Sequence, residues 1–263
     1  MPLTRGRMAQ RVRRLAARIL RGRLSSLWVP RGPFLYEFPG YRLSLQSPRR
    51  SQIARSVYFT GQWESAETEF LKAFLKPDMV VWDVGAHIGY YTTLFASIAR
   101  HVYAFEVNTN SLSVLNKNIE INQFHNITVI EQALFRHRCR LTFHEDRLVL
   151  SENDDDTKPT VECIGVDDVL AEHPDAERVD LIKLDVEGAE LDILKGASEL
   201  IETRKPHFII EVHHGRLPRY GYTPADFYGE LKNKDYSFVP VDRTEIDISS
   251  KDNVTIHAFP DGR

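Results

Sequence analysis

The sequence predicts an α/β fold in which a mostly parallel sheet is covered by helices on both faces, preceded by a small N-terminal extension. From about residue 80 onward, short apolar runs alternate with segments of helical periodicity, a pattern typical of parallel sheets. The chain has 263 residues, 42% of them apolar, which is enough to bury the core of such a domain. Because such sheets bind ligands beyond the carboxyl ends of their strands, we expect functional side chains directly after the strands.

The N-terminal extension begins with a strongly basic segment. Residues 1–24 contain eight arginines and no acid. Five of these arginines share one side of a predicted helix, whose neighbouring side is apolar: Arg7, Arg11, Arg14, Arg18 and Arg21. We predict a basic amphipathic helix with three alternative roles, namely a solvated extension, contact of residues 7–21 with an anionic membrane surface or an acidic partner, and organelle targeting.

The remainder of the chain is predicted to form two parts. Residues 25–76 are expected to form a β-ribbon and a helix that cap the main domain, which occupies residues 77–263. Within the first part, residues 34–60 have the alternation of short strands with turns, and residues 64–75 have helical spacing that ends before Pro77.

Seven strands are predicted in the main domain, at residues 80–84, 101–107, 127–131, 180–185, 207–212, 236–241 and 254–259. Helices are predicted at residues 88–99, 109–122 and 189–201, and a fourth follows Thr223, a suitable N-cap, with Pro224 at its first position. A polar interlude over residues 136–165, which includes an acidic loop at 151–157, separates the third and fourth strands.

The bulk composition excludes several classes of protein. No apolar run approaches the roughly 18 residues that a membrane-spanning helix needs, and a net charge of −3 does not suit a chain that coats nucleic acid. We therefore expect a soluble cytoplasmic protein, peripheral to a membrane at most, and compatible with self-association as a homo-oligomer. Cys139 and Cys163 are predicted to be reduced structural thiols, although they could face each other across a hairpin.

The segment Asp83–Gly89 joins the first strand of the main domain to a helix. It is the predicted binding site of a group-donating ligand, called the donor below. Gly85 and Gly89 let the backbone turn tightly beside a ligand, but their spacing is not the G-x-G-x-x-G pattern that holds a pyrophosphate. An acid before the first glycine repels phosphate and suits a cation. These features disfavour a nicotinamide dehydrogenase and favour S-adenosylmethionine, which carries a sulfonium and an ammonium group. Ala86 and His87 belong to the same turn.

The next two strands supply the remaining donor contacts. Glu106 ends the second strand, 21 residues after Gly85, where an acid accepts hydrogen bonds from both ribose hydroxyls of a bound nucleoside. Gln132 and Ala133 follow the third strand and are predicted to flank the adenine.

The acceptor site, which binds the molecule that receives the donated group, is predicted at the ends of the fourth and fifth strands. Asp185 follows the fourth strand, whereas Glu211 and His213 lie on one side of the fifth strand's end. Convergence of the three predicts either a carboxylate–histidine general base or a divalent-metal site, of which the metal is not favoured. The alternative is that Glu211 pairs with Lys183 and that His213 is only a loop residue.

With both sites in view, the chain resembles the FkbM family of S-adenosylmethionine-dependent methyltransferases. The resemblance is carried by four stretches: residues 83–92, 104–106, 182–196 and 209–213. It implies the Rossmann-like, seven-stranded class I methyltransferase fold with the last strand inserted antiparallel. Two positions depart from the family pattern, because His87 stands where Asn is usual and Val107 where Pro is usual.

The resemblance implies an O-methyltransferase that acts on a hydroxyl of a sugar, a glycolipid or another small-molecule natural product. One alternative is a methyltransferase for protein or nucleic acid that uses the arginine helix as a docking arm. The other is a non-catalytic S-adenosylmethionine-binding regulator, which the presence of Asp83, Glu106 and Asp185 disfavours.

Overall fold

The computed structural model describes residues 29–144, 147–149, 160–241 and 245–262. The predicted basic helix of residues 1–24, with its membrane contact through residues 7–21, and the predicted acidic loop at 151–157 lie outside this part of the chain. The described residues divide into two compact units, with the boundary between Ala73 and Phe74. Among them, no helix combines the length and the apolar character needed to cross a membrane.

The first unit contains the predicted antiparallel ribbon, a helix and all but the last residue of a second helix: β1 (Phe34–Phe38), β2 (Tyr41–Leu45), α1 (Gln52–Thr60) and α2 (Ser65–Phe74). The two strands pair around Pro39 and Gly40, which confirms the ribbon. The prediction of strands and turns was wrong for α1. Ser51 caps this helix by accepting a hydrogen bond from the Ala54 amide, and Gly61 ends it in a left-handed conformation.

The strands of the second unit, in chain order, are β3 (Val80–Val84), β4 (His101–Phe105), β5 (Ile127–Ile130), β6 (Ala133–Phe135), β7 (Cys139–His144), β8 (Arg147–Val149), β9 (Thr160–Gly165), β10 (Val179–Leu184), β11 (His207–Val212), β12 (Tyr236–Pro240) and β13 (Val254–Pro260). Its α-helices are α3 (Tyr90–Ala96), α4 (Thr109–Asn122), α5 (Val166–Glu172), α6 (Glu190–Gly196), α7 (Ser198–Arg204) and α8 (Pro224–Asn233). Short 3₁₀ helices occupy Pro174–Arg178 and Leu217–Tyr220.

The main sheet has seven strands in the order β12-β13-β11-β10-β3-β4-β5. The pairs β11–β10, β10–β3, β3–β4 and β4–β5 are parallel, whereas β13 is antiparallel to both of its neighbours. The predicted seven-stranded fold with an antiparallel last strand is therefore confirmed. All five residues of β3 are buried, as expected for a central strand that is covered on both faces.

A second, four-stranded sheet with the order β6-β9-β7-β8 forms within and beside the polar interlude. In this sheet Cys139 and Cys163 are direct partners on antiparallel strands, and both are free thiols. Burial, the largest influence, raises the pKa of Cys163 well above its usual value. The thiol is therefore protonated at neutral pH and behaves as a small core residue.

The single helix predicted over residues 189–201 is two helices, α6 and α7, separated at Ala197. Gly196 at the end of α6 lies so close to another segment that a Cβ atom there would be 2.6 Å from the Arg136 Cα. Close backbone approach explains a glycine at this point, and helical periodicity alone cannot reveal the break.

Candidate active site

The first part of the site is Asp83, near the carboxyl end of β3. Its side chain is 1% exposed, and the Thr92 hydroxyl donates a 2.5 Å hydrogen bond to its Oδ2 atom. On the neighbouring strand, Lys183 is its register partner. Burial raises the pKa of Asp83 to about 6, although Lys183 and the Thr92 hydrogen bond oppose this rise. Binding a cation beside Asp83 would stabilise its charged form.

Gly85 brings the turn after β3 against the end of β10. The residue has φ +88°, and a Cβ atom there would lie 2.0 Å from the backbone oxygen of Asp185. The amides of Gly85 and Ala86 both donate to the Phe105 carbonyl, at 3.1 and 3.0 Å. Glycine is therefore required here, and the predicted donor turn lies directly beside the predicted acceptor residue Asp185.

The second half of the turn packs against α4 and forms a hydrogen bond with it. Gly89, at φ +82°, has no room for a Cβ atom, which would lie 2.5 Å from a methyl group of Leu115. The side-chain amide of Asn118, which is fully buried, donates a hydrogen bond to the Ile88 carbonyl at 2.8 Å. His87 itself is exposed and has φ +50°, so its side chain is available to a ligand at the turn.

Glu106 follows β4, and its carboxylate is oriented by three backbone amides. Its Oε2 atom accepts from the His87 amide at 2.7 Å, and its Oε1 atom accepts from the amides of Val107 and Asn108 at 2.8 and 2.7 Å. A proline at position 107 would lack one of these donors. Val107, which stands where the family usually has proline, thus adds a hydrogen bond that holds Glu106, the residue predicted to bind the ribose.

Gln132 and Ala133 lie beyond the end of β5, next to Glu106. The Glu106 amide donates to the Ile130 carbonyl at 3.2 Å, so the ends of β4 and β5 are adjacent. Gln132 is half-buried, and Ala133 is buried at the start of β6. Gln132 and Ala133 therefore follow the strand adjacent to β4, and their contact with an adenine stays a prediction.

The predicted acceptor residues converge around His213. Its Nε2 atom lies 3.9 Å from Asp185 Oδ1 and 3.7 Å from Glu211 Oε1. A third carboxylate, Glu187 Oε2, is 3.3 Å away and also forms an ion pair with Arg216. Lys183 pairs with Asp185 at 3.3 Å. His213 lies in the loop after β11, but it is only 2% exposed and faces the cluster.

Glu190 belongs to this cluster, although the sequence left its role open and it is not among the predicted site residues. It begins α6, where an acid is already favourable because of the helix dipole. In the structure it is fully buried, and its Oε1 atom lies 2.8 Å from His213 Nδ1. The only available signal was the need of a buried histidine for a partner at its second ring nitrogen.

The ionisation of the cluster follows from these contacts. Burial alone would lower the pKa of His213, but the hydrogen bond and charge of Glu190, with Asp185 and Glu211, raise it to about 9. Burial would raise the pKa of Asp185, but Lys183 and His213 outweigh it, so the pKa is lowered. The resting site therefore pairs a cationic imidazole with the ionised carboxylate of Asp185 at neutral pH.

A divalent metal is geometrically compatible with three of these residues. Ligand atoms of Asp185, Glu211 and His213 lie within 4.8 Å of one another, and two carboxylates with an imidazole form a plausible ligand set. However, Asp185 already has Lys183 as a cationic partner, and Asn253 donates to Glu211 at 2.9 Å. These contacts meet part of the demand that a metal would satisfy.

Fold and site together define a class of protein. The sheet has seven strands, of which the last is antiparallel. A glycine-containing turn with an acid follows the interior strand β3, and a second acid follows β4. These are the features of a Rossmann-like class I methyltransferase. Residues 83–238 match the family described as "Methyltransferase FkbM domain". The chain therefore belongs to the FkbM methyltransferase family. The prediction of an S-adenosylmethionine-dependent methyltransferase is confirmed at this level.

Individual relatives support the same assignment. The chain is 25% identical, over 72% of its length and 78% of the relative's, to the hexuronic acid methyltransferase AglP of Haloferax volcanii. It is 26% identical to Methyltransferase 1 of Beauveria bassiana over 46% of this chain and 59% of that protein. A crystal structure of methyltransferase FkbM from Methylobacillus flagellatus KT shares the fold, with a TM-score of 0.51 and 19% identity. That likeness covers 74% of this chain and 47%, about half, of that one.

Proposed function

We propose that this protein transfers the methyl group of S-adenosylmethionine to a hydroxyl oxygen of a carbohydrate-containing small molecule. The observation that carries the proposal is the position of His213 among carboxylates. His213 lies beside Asp185, which in turn contacts the donor turn. An oxygen acceptor needs a nearby base because a hydroxyl loses its proton as it is methylated.

The donor is held at the carboxyl ends of β3, β4 and β5. The turn residues Gly85, Ala86, His87 and Gly89 provide a close backbone approach, and Asp83 faces the positively charged end of the donor. Glu106 accepts hydrogen bonds from the ribose hydroxyls, while Gln132 and Ala133 flank the adenine. Three backbone amides hold Glu106 in place before the donor arrives, which reduces the entropic cost of binding.

The acceptor reacts at the carboxyl ends of β10 and β11. The hydroxyl oxygen forms a bond to the methyl carbon as the carbon–sulfur bond breaks, and its proton moves to His213 Nε2. The sulfonium thereby becomes a neutral thioether, and S-adenosylhomocysteine leaves. Asp185 and Glu211 orient the hydroxyl and stabilise the positive charge that passes from the sulfonium to the imidazole.

Support for a sugar acceptor comes from the Haloferax volcanii relative, whose name describes a methyltransferase for hexuronic acid. Sugars, glycolipids and other polyhydroxyl natural products present the hydroxyl that this arrangement requires. Membrane contact through residues 7–21 and self-association stay predictions, and neither is needed for the transfer step.

The proposal is tested by incubating the protein with methyl-¹³C S-adenosylmethionine and a panel of acceptors. Hexuronates, neutral hexosides and polyhydroxyl natural products form one arm, whereas peptides and RNA form the other. We expect ¹³C-methyl ether signals in at least one small hydroxyl acceptor and none in the polymers. Methyl transfer only to a polymer would contradict the proposal in favour of a macromolecular substrate, and donor binding without any transfer would favour a regulator.

A further inference from the structure

We propose that Glu190 is a positioning residue for the methyl transfer, because it holds the imidazole of His213 with Nε2 directed at the acceptor. The inference rests on the proposed function of His213 as the base and assigns a second carboxylate to the same site. Its basis is the hydrogen bond from His213 Nδ1 to Glu190 Oε1 at 2.8 Å, between side chains that are 2% and 0% exposed.

The turn that precedes α6 places this carboxylate. Glu187 has φ +63°, which is strained for a residue with a Cβ atom, and Gly188 has φ +119°, which glycine adopts without steric cost. The Gly188 amide donates to Glu190 Oε1 at 3.0 Å. A Cβ atom at Gly188 would lie 2.8 Å from the Tyr220 ring, so glycine is required and the turn has little freedom.

Burial makes the contact between Glu190 and His213 energetically important. A carboxylate removed from water is costly unless it is paired and hydrogen-bonded, and Glu190 Oε2 has no hydrogen-bond partner among the residues that the structure describes. The Oε1 atom therefore carries the compensation, through His213 Nδ1 and the Gly188 amide. Among the described residues, the carboxylates that contact the imidazole are Asp185, Glu187, Glu190 and Glu211. Lys183 pairs with Asp185, Arg216 pairs with Glu187, and Tyr220 lies near Glu190.

The chemical consequence concerns the neutral tautomer of His213. An imidazole that donates its Nδ1 proton to a carboxylate has its lone pair on Nε2. That lone pair faces the cluster of Asp185, Glu187 and Glu211, so it can accept the proton of the reacting hydroxyl. After the transfer, the charge of Glu190 stabilises the imidazolium, which is the role of the aspartate in a Ser-His-Asp triad.

The experiment measures the tautomer directly in the full-length protein. Proton–nitrogen correlation spectra of ¹⁵N-histidine-labelled protein are recorded at about pH 10, where the His213 ring is neutral because its pKa is about 9. The signal is assigned by its loss in His213→Gln. We expect the wild type to show one tautomer, protonated at Nδ1. A neutral ring protonated at Nε2 would overturn the inference.

Glu190→Gln tests the same point by substitution. An amide presents both a donor and an acceptor to Nδ1, so it supports either tautomer. We expect a mixture of tautomers. At about pH 10, where the ring is neutral in both proteins, we expect a fall in kcat of at least about tenfold, with the KM values of donor and acceptor unchanged. The matched variant Glu187→Gln removes a carboxylate from the Nε2 side, and it is expected to keep the single Nδ1-protonated tautomer.

A single Nδ1-protonated tautomer with unchanged kcat in Glu190→Gln would show that Glu190 is structural only. If this variant fails to fold, the wild-type tautomer decides the question. The spectra require no methyl transfer. Absence of transfer to every acceptor in the panel would overturn the proposed function, whereas the wrong tautomer in an active enzyme would overturn only the role of Glu190.

Discussion

Replacing His213 with glutamine is expected to lower kcat by roughly 100- to 10,000-fold, the usual contribution of a general base. Glutamine fills a similar volume and hydrogen-bonds with Glu190, but it cannot take up a proton at neutral pH. The affinity for S-adenosylmethionine is expected to remain near that of the wild type, because the donor contacts arise from β3, β4 and β5. Single-turnover rates combined with donor titrations separate the two effects.

The base role of His213 also predicts that the rate of methyl transfer rises with pH. The base must be neutral, and the pKa of His213 is raised to about 9, so only about 1% of the protein is in the reactive form at pH 7. The activity of the wild type is expected to increase about tenfold per pH unit up to that pKa. The residual activity of His213→Gln should not show this increase.

His214→Gln is the matched control for the same loop. His214 is also buried, at 4% exposure, and its ring nitrogens hydrogen-bond with the Tyr228 hydroxyl and the Ser250 carbonyl. We expect His214→Gln to lower stability and to leave kcat per folded molecule close to the wild type. Equal losses of kcat in both variants, or a wild-type kcat in His213→Gln, would contradict the base role.

Gly85→Ala is expected to have the largest effect on donor binding. The new Cβ atom would lie 2.0 Å from the Asp185 backbone oxygen and 3.0 Å from its carbonyl carbon, so the turn after β3 and the end of β10 must separate. Adding a methyl group to a fully packed position typically costs about 1–3 kcal/mol, and the positive φ adds about 1–2 kcal/mol. Calorimetric titration should show a loss of S-adenosylmethionine affinity of at least roughly 100-fold, the equivalent of about 2.7 kcal/mol.

Gly221→Ala isolates the strain from the steric clash. Gly221 has φ +78°, close to that of Gly85, but no described residue other than its chain neighbours comes within 4 Å of its ideal Cβ position. We expect a modest loss of stability, about 1–2 kcal/mol, with unchanged donor affinity. Wild-type donor affinity in Gly85→Ala would show that the turn does not hold the donor, and a similar loss in both variants would assign the effect to strain alone.

The features that the sequence predicted correctly depend on local patterns. The central strand Val80–Val84, the helix Thr109–Asn122 and the antiparallel final strand appear where they were expected. Asp185, Glu211 and His213 converge because the carboxyl ends of parallel strands share one edge of the sheet. This rule requires only that each strand be identified, and it does not depend on the loop conformations.

The features that the sequence did not predict depend on contacts between distant segments. The small sheet that includes β7 and β9 arises from polar, partly exposed strands, which lack the apolar run that marks a buried strand. The break between α6 and α7 follows Gly196, which lies close to the Arg136 backbone. The contact between Glu190 and His213, 23 residues later, is visible only in the structure.

Calorimetric titration of the wild-type protein with S-adenosylmethionine tests the central claim most directly. We expect one site per chain, a dissociation constant between about 1 μM and 1 mM, and competition by S-adenosylhomocysteine. NAD should show no competition, because the turn has an acid in place of a pyrophosphate fingerprint. The absence of S-adenosylmethionine binding at millimolar concentration, in protein shown to be folded, would contradict both the donor site and the methyl transfer that depends on it.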